Sequence, residues 1–275
     1  MKTDEGYFSG AAGKIYWRCW LPENPRAVVM LIHGIAEHTG RYEHVAKRLV
    51  DEGYAVYGLD HHGHGRSDGT GGNIGSMAGV VSDVAHLRRI ATVATPDVPV
   101  FVLGHSLGGL IALDYVTGGG QQGLAGLVLS GAAVEASVGS KLERKLAPVL
   151  SKIAPNLGVA DLGIDNISRD PVVVQAYRDD PLVYTGKVRA RTGAEGLAAM
   201  ERVTGKLGII ELPLLILHGS EDKLADPSGA QLVRDRAKSQ DKTVKIYDGL
   251  FHEIFNEPEQ QTVLGDLVGW LDSHL

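Results

Sequence analysis

Short aliphatic or β-branched runs bounded by glycine or proline alternate along this chain with longer stretches whose apolar residues recur every three or four positions. The first kind reads as buried strand and the second as amphipathic helix. The pattern predicts strands at 14–20, 27–33, 55–60, 98–104, 124–130, 212–218 and 242–247, and helices at 42–52, 77–94, 107–117, 227–239 and 258–275. Repeated strand-then-helix units place the chain in the α/β class, with a mostly parallel central sheet flanked by helices. The alternation stops after Gly131 and resumes only at Pro213, and the residues between read as short helices rather than strands, broken at Pro155, Pro171 and Pro181. The expected organisation is therefore a core of residues 1–133 and 206–275, with a helical cap of residues 134–205 inserted in it. Within that insert Val138, Leu142, Leu146, Val149 or Leu150, and Ile153 fall at helical spacing, opposite Lys141, Glu143, Arg144, Lys145 and Lys152. Such a stripe either packs on the rest of the chain or edges a lid that meets lipid, and the two are compatible.

Composition narrows the partners. The chain has 275 residues, 44% hydrophobic and 22% charged, which suits one large α/β domain carrying an insertion. A net charge of −6 offers no basic stripe for a phosphate backbone, so nucleic acid is not expected as a partner and a small neutral substrate is. Cys19 is the single cysteine, which rules out an internal disulfide or a thiolate metal cluster and suits a reducing compartment. The polar, acidic segment 1–10 lacks the apolar core of a secretory signal, and no later run approaches the length of a membrane span. A cytoplasmic protein is expected, with peripheral contact at a membrane or micelle through the cap left open. The sequon Asn166-Ile167-Ser168 is then not expected to carry sugar.

The chemistry starts at Gly104-His105-Ser106-Leu107-Gly108-Gly109, which follows the apolar run Val100-Phe101-Val102-Leu103 and opens a helical pattern. A G-x-S-x-G sequence between strand and helix puts the serine on a tight turn, with its hydroxyl beyond the sheet and helix N–H groups beside it. A serine hydroxyl needs a histidine base and usually a carboxylate behind it, and this fold requires the order serine, acid, histidine. Asp222 follows the strand at 212–218 in a loop at its carboxyl end, whereas Asp226 lies beside Pro227, where capping the next helix is the plainer role. Of eleven histidines, His252 alone lies after the last predicted strand and before the final helix. His274 suits a helix end, His218 suits packing against the acid loop, and His61, His62 and His64 lack the further ligands of a metal site. The loop after the strand at 27–33, His33-Gly34-Ile35-Ala36-Glu37-His38, is expected to offer the Ile35 N–H to an oxyanion beside the N–H of Leu107. Ser106, Asp222 and His252 are thus the candidate catalytic residues of an α/β-hydrolase, with no metal and no cofactor required.

These segments resemble the monoacylglycerol lipase family. The run His33-Gly34-Ile35-Ala36-Glu37-His38-Thr39-Gly40-Arg41-Tyr42 is similar to its signature H-G-x-x-E-H-x-x-R-Y, and the loop Asp60-His61-His62-Gly63-His64-Gly65-Arg66-Ser67 and the stretch leading to His252 also fit. The resemblance implies hydrolysis of a monoacylglycerol to glycerol and a fatty acid, a lipid ester as partner, and a mobile helical cap over an acyl tunnel. It also implies that Glu37 and Arg41 lie near the polar end of the site, either as a buried pair bracing the oxyanion loop or as a surface pair of little weight. Phe255 stands where mammalian members carry a histidine near the glycerol end, and Asn256 follows it, so both are candidate substrate contacts. The same triad would serve a lysophospholipase or a short-chain carboxylesterase, and a ligand-binding protein on this scaffold would lack turnover altogether.

Overall fold

The computed structural model describes residues 1–135 and 141–275. Val138 and the side chains of Lys141, Leu142, Glu143, Arg144 and Lys145 lie outside that description. Eight strands form one sheet in the order β1-β2-β4-β3-β5-β6-β9-β10. In chain order these are β1 (Lys2–Gly10), β2 (Gly13–Leu21), β3 (Ala27–Ile32), β4 (Tyr54–Leu59), β5 (Val100–His105), β6 (Gly126–Ser130), β9 (Leu214–Gly219) and β10 (Lys242–Tyr247). β1 and β2 pair antiparallel, as do β2 and β4, and every other pairing is parallel. The helices are α1 (Glu43–Asp51), α2 (Met77–Ala94), α3 (Leu107–Tyr115), α4 (Lys141–Ile153), α5 (Pro171–Asp179), α6 (Ala190–Thr204), α7 (Ser228–Arg236) and α8 (Gln260–Asp272).

Every residue of β3, β4, β5, β6 and β9 is buried, as a parallel sheet covered on both faces requires. The two-residue period divides them cleanly. Val28, Met30 and Ile32 of β3 share a core with Val84 and Leu87 of α2 and Ile111 of α3, whereas Val29 and Leu31 pack with Val45 and Leu49 of α1 and Leu267 and Leu271 of α8. Ala199 and Val203 of α6 join the first of these layers, so the last helix of the inserted segment reaches into the core.

Three expectations need correction. β1 was not expected, because it is an edge strand whose residues are mostly polar and exposed, with only Phe8 buried; its pairing partner, not its own pattern, makes it a strand. The inserted segment was expected to hold helices alone, yet Gly158–Ala160 (β7) pairs antiparallel with Val188–Arg189 (β8). Strands this short carry no periodicity to read. The helix expected to run to 117 stops at Tyr115 and relaxes into a π turn over Val116–Gly120, where Gly119 takes φ 109°.

β3, β5, β9 and β10 point their carboxyl ends to one edge of the sheet, and the loops leaving them carry Ile35, Ser106, Asp222 and His252. Four segments far apart in sequence therefore meet at one place. The meeting depends on close approach: a Cβ on Gly108 would collide with the carbonyl oxygens of Ile32 and His33. Gly108→Ala should destabilise the protein by about 3 kcal/mol in urea unfolding. Gly118→Ala is exposed, with nothing within 4 Å of the new methyl, and should instead stabilise by about 0.5 kcal/mol.

Candidate active site

Ser106 sits between β5 and α3 at φ 54° and ψ −120°, a conformation that costs a non-glycine residue about 1–3 kcal/mol. Its surroundings hold it there. Its N–H donates to Ser130 O at 3.0 Å, and its carbonyl accepts the N–H groups of Gly109 at 3.0 Å and Ala133 at 3.1 Å. Gly104 and Gly109 leave no room for a side chain, the first against the Gly108 backbone and the second against Ala132.

The Ser106 hydroxyl lies 2.8 Å from His252 Nε2, and His252 Nδ1 lies 2.7 Å from Asp222 Oδ2. With a carboxylate as acceptor, Nδ1 carries the ring proton, which leaves the Nε2 lone pair to accept from the serine. All three residues are buried. Asp222 Oδ1 accepts the N–H groups of Leu224 at 2.8 Å and Ala225 at 2.9 Å. Burial alone would raise the pKa of Asp222, but the charge of His252 and hydrogen bonds from His218, His252 and Ala225 hold it well below the usual carboxylate range. Burial works against protonated His252 too; the facing Asp222 carboxylate outweighs it and lifts the pKa above 6.5. Asp226, the competing acid, accepts the Ser228 N–H at 2.9 Å at the start of α7 and takes no part in this chain of bonds.

Two backbone N–H groups flank the serine. No hydrogen bond among the described residues occupies the N–H of Ile35 or of Leu107. Gly34 is needed beside them, since its Cβ would press on Glu37 Oε1 and on Ser106 Cβ, and Ala36 turns the loop at φ 66°. The loop is anchored from behind by histidines. His61 N–H donates to His33 Nε2 at 3.0 Å, His61 Nε2 bonds His33 O at 3.1 Å, and His33 Nδ1 bonds Gly34 O at 2.8 Å. Burial holds His33 well below its usual value and takes His61 down to about 3, so both stay neutral.

Glu37 and Arg41 form the buried pair, not a surface one. Arg41 Nη1 meets Glu37 Oε2 at 2.7 Å, and Glu37 Oε1 accepts the Gly34 N–H at 2.6 Å and the Tyr42 hydroxyl at 2.7 Å. Arg41 also grips Glu253, the residue after His252, through two bonds of 2.7 Å.

The sequence profile of the family described as serine aminopeptidase, S33, matches residues 23–259. The chain is 43% identical over 275 residues to the monoacylglycerol lipase of Mycolicibacterium smegmatis (strain ATCC 700084 / mc(2)155), covering 98% of each. It belongs to the monoacylglycerol lipase family. It is also 36% identical over 252 residues to the monoglyceride lipase of Homo sapiens, covering 90% of this chain and 82% of that one. The crystal structure of Paleococcus ferrophilus monoacylglycerol lipase superposes with a TM-score of 0.84 at 30% identity, covering all of both chains.

Two of the residues singled out by likeness to the family do different work here. Phe255 is a core residue: its ring is buried with Val45, Leu264 and Ile254 between helices, and only its carbonyl reaches a polar partner, His44 Nε2 at 2.9 Å. Asn256 donates to Glu253 Oε2 at 2.8 Å and so completes the Arg41 cluster. Glu253 itself was not foreseen. It stands next to His252 in the sequence, but nothing in one sequence pairs position 253 with position 41. Equally unforeseen are three ties from the inserted segment to the stretch 36–41: Tyr184 N–H to Ala36 O at 2.8 Å, His38 Nε2 to Asp180 Oδ2 at 2.9 Å, and the Tyr177 ring 4.5 Å beneath the Arg41 guanidinium.

Replacing Arg41 by methionine leaves two buried carboxylates without their cation. The variant should lose about 3–5 kcal/mol in urea unfolding. Because Glu37 holds the Gly34 turn, its kcat should also fall by more than its KM rises, which steady-state turnover of a soluble ester measures.

Proposed function

We propose that this chain hydrolyses monoacylglycerols to glycerol and free fatty acid, with Ser106 as nucleophile, His252 as general base and acid, and Asp222 as its partner. The chain is a carboxylic ester hydrolase by family. The observation that carries the assignment of roles is the unbroken line from Ser106 Oγ through His252 to Asp222, with two N–H groups at the serine end that no hydrogen bond among the described residues occupies.

His252 Nε2 takes the Ser106 proton as Oγ attacks the ester carbonyl, and the N–H groups of Ile35 and Leu107 receive the charge that develops on the carbonyl oxygen. The ester C–O bond breaks, His252 passes its proton to the departing glycerol oxygen, and an acyl-serine remains. Water then gives a proton to His252 and its oxygen to the acyl carbon; the fatty acid leaves and the proton returns to Ser106.

The segment 134–205 serves as the cap in this reading, and its outer face fits a lipid surface. Leu146, Val149 and Ile153 lie on one side of α4 with exposures of 53%, 55% and 79%, and Leu157 and Val159 further along the chain are exposed as well. Of the two readings of this stripe, exposure on that scale favours contact with lipid. Among the described residues no helix is long and apolar enough to cross a membrane.

Ser106→Ala should cut ester turnover by roughly three orders of magnitude or more, and a variant that keeps near-normal rates rules out the nucleophile. Since His252 acts as a base only when neutral and its pKa is raised, kcat/KM should fall on the acid side with a midpoint above 6.5. Rates on monoolein, lysophosphatidylcholine and a short p-nitrophenyl ester test the substrate class; monoolein is expected to be preferred. Ile153→Ser with Val149→Ser should slow hydrolysis of dispersed monoolein and leave the short soluble ester unaffected.

A further inference from the structure

The Asp222 carboxylate has four nitrogens within 3.0 Å, one for each of its lone pairs. Oδ1 accepts the N–H groups of Leu224 and Ala225, and Oδ2 accepts the Nδ1 proton of His252. The fourth is His218, whose Nε2 lies 3.0 Å from the same Oδ2. His218 sits near the end of β9, as fully removed from solvent as Asp222 itself. Its Nε2 is also 3.0 Å from the carbonyl oxygen of Ala225. One ring nitrogen facing two oxygens has no use for a lone pair, so Nε2 bears the proton and shares it between them. The ring thereby ties the strand end to the far side of the turn that presents Asp222.

We propose that His218 is a positioning residue for the reaction: its Nε2–H divides Asp222 Oδ2 between two histidines and limits how tightly that oxygen binds the Nδ1 proton of His252. The proposal rests on the reading of Ser106, His252 and Asp222 as the triad. A carboxylate oxygen with one donor turns its whole charge on that donor, and a second donor withdraws part of it. His252 must both take a proton from serine and release it to the leaving alcohol. An Asp222 that held imidazolium too firmly would slow the release and would keep His252 protonated to higher pH. Besides Asp222, the groups facing His252 are His105 at the end of β5, 4.8 Å away between ring centroids, Glu253 beside it, and Glu37 from the oxyanion loop. Asp226 and Asp222 are the charged groups near His218. Among the described residues, His218 and His252 are the side chains with a nitrogen within 3.0 Å of Asp222 Oδ2.

The test compares His218→Leu, His218→Asn and His218→Gln with the parent enzyme on a short soluble ester, following kcat, KM, the pH profile of kcat/KM and thermal unfolding. Leucine has no donor, asparagine is too short to reach Oδ2, and glutamine places an amide N–H near the original Nε2. The leucine and asparagine variants should lose about ten- to a hundredfold in kcat, the span of a hydrogen bond to a charged group, with KM held within about twofold. Their acid limb should move up by about half a pH unit or more, and glutamine should return it to the parent position. The asparagine variant carries the test if the leucine variant does not fold. An acid limb that stays in place without the donor, or one that glutamine does not restore, overturns the proposal while Ser106→Ala remains inactive. Turnover surviving Ser106→Ala brings down the triad reading and this proposal with it.

Discussion

A nearly buried cation, Arg41, holds together the loops on which the proposed catalytic groups ride. Its guanidinium joins Glu37 of the loop at 33–38 to Glu253 beside His252, the latter 212 positions from Arg41 in sequence. Three charges withdrawn from water are expensive, and buried ion pairs of this kind come close to breaking even in stability. What they do supply is geometry. Glu37 and Glu253 between them accept from Arg41, Gly34, Tyr42 and Asn256, so neither carboxylate can turn without losing a bond that the interior cannot replace. The distance between the Ile35 N–H and the His252 ring is therefore set by a rigid polar cluster and not by two independent loops.

On that frame the same side chain acquires opposite character by its neighbours. His33, His61, His105 and His252 are all buried, and burial alone keeps an imidazole neutral. The first three are pushed down, His61 and His105 to about 3, and serve as fixed donors and acceptors that stiffen the turns around Ser106. Of these four, His252 alone has a carboxylate bonded to its ring, and its pKa alone rises. The strained backbone of Ser106 follows the same logic: the Ser130 carbonyl and the glycines on either side leave the chain no lower-energy way to pass from β5 into α3.

The inserted segment is tied into this arrangement at its inner side through Tyr184, Asp180 and Tyr177, while α4 turns an apolar row outward. A lipid that engages that row thus meets an element whose continuation touches the oxyanion loop. The stripe was visible as a helical period, but a period has no sign: it is the same whether the apolar side faces a core or the solvent.

Much of the proposed site was legible because a serine on a tight strand-to-helix turn leaves local signatures. Gly104, Ser106 and Gly108 stand together, Asp222 follows a buried strand, and His252 comes last of the proposed three. The parallel strands were equally plain, since a strand buried on both faces writes a continuous apolar run. What the amino-acid order determined by itself was whatever depends on neighbours within a few residues: the elbow, the strands, the turn glycines and the Asp226 turn at the start of α7. Tertiary structure alone decided which distant charges met. It gave Arg41 its second carboxylate, turned Phe255 into core and Asn256 into a brace, paired β1 along the edge, and set His218 against Asp222. Those outcomes depend on which faces pack once the sheet has closed, and a contact between residues two hundred positions apart leaves no periodic trace in a single chain.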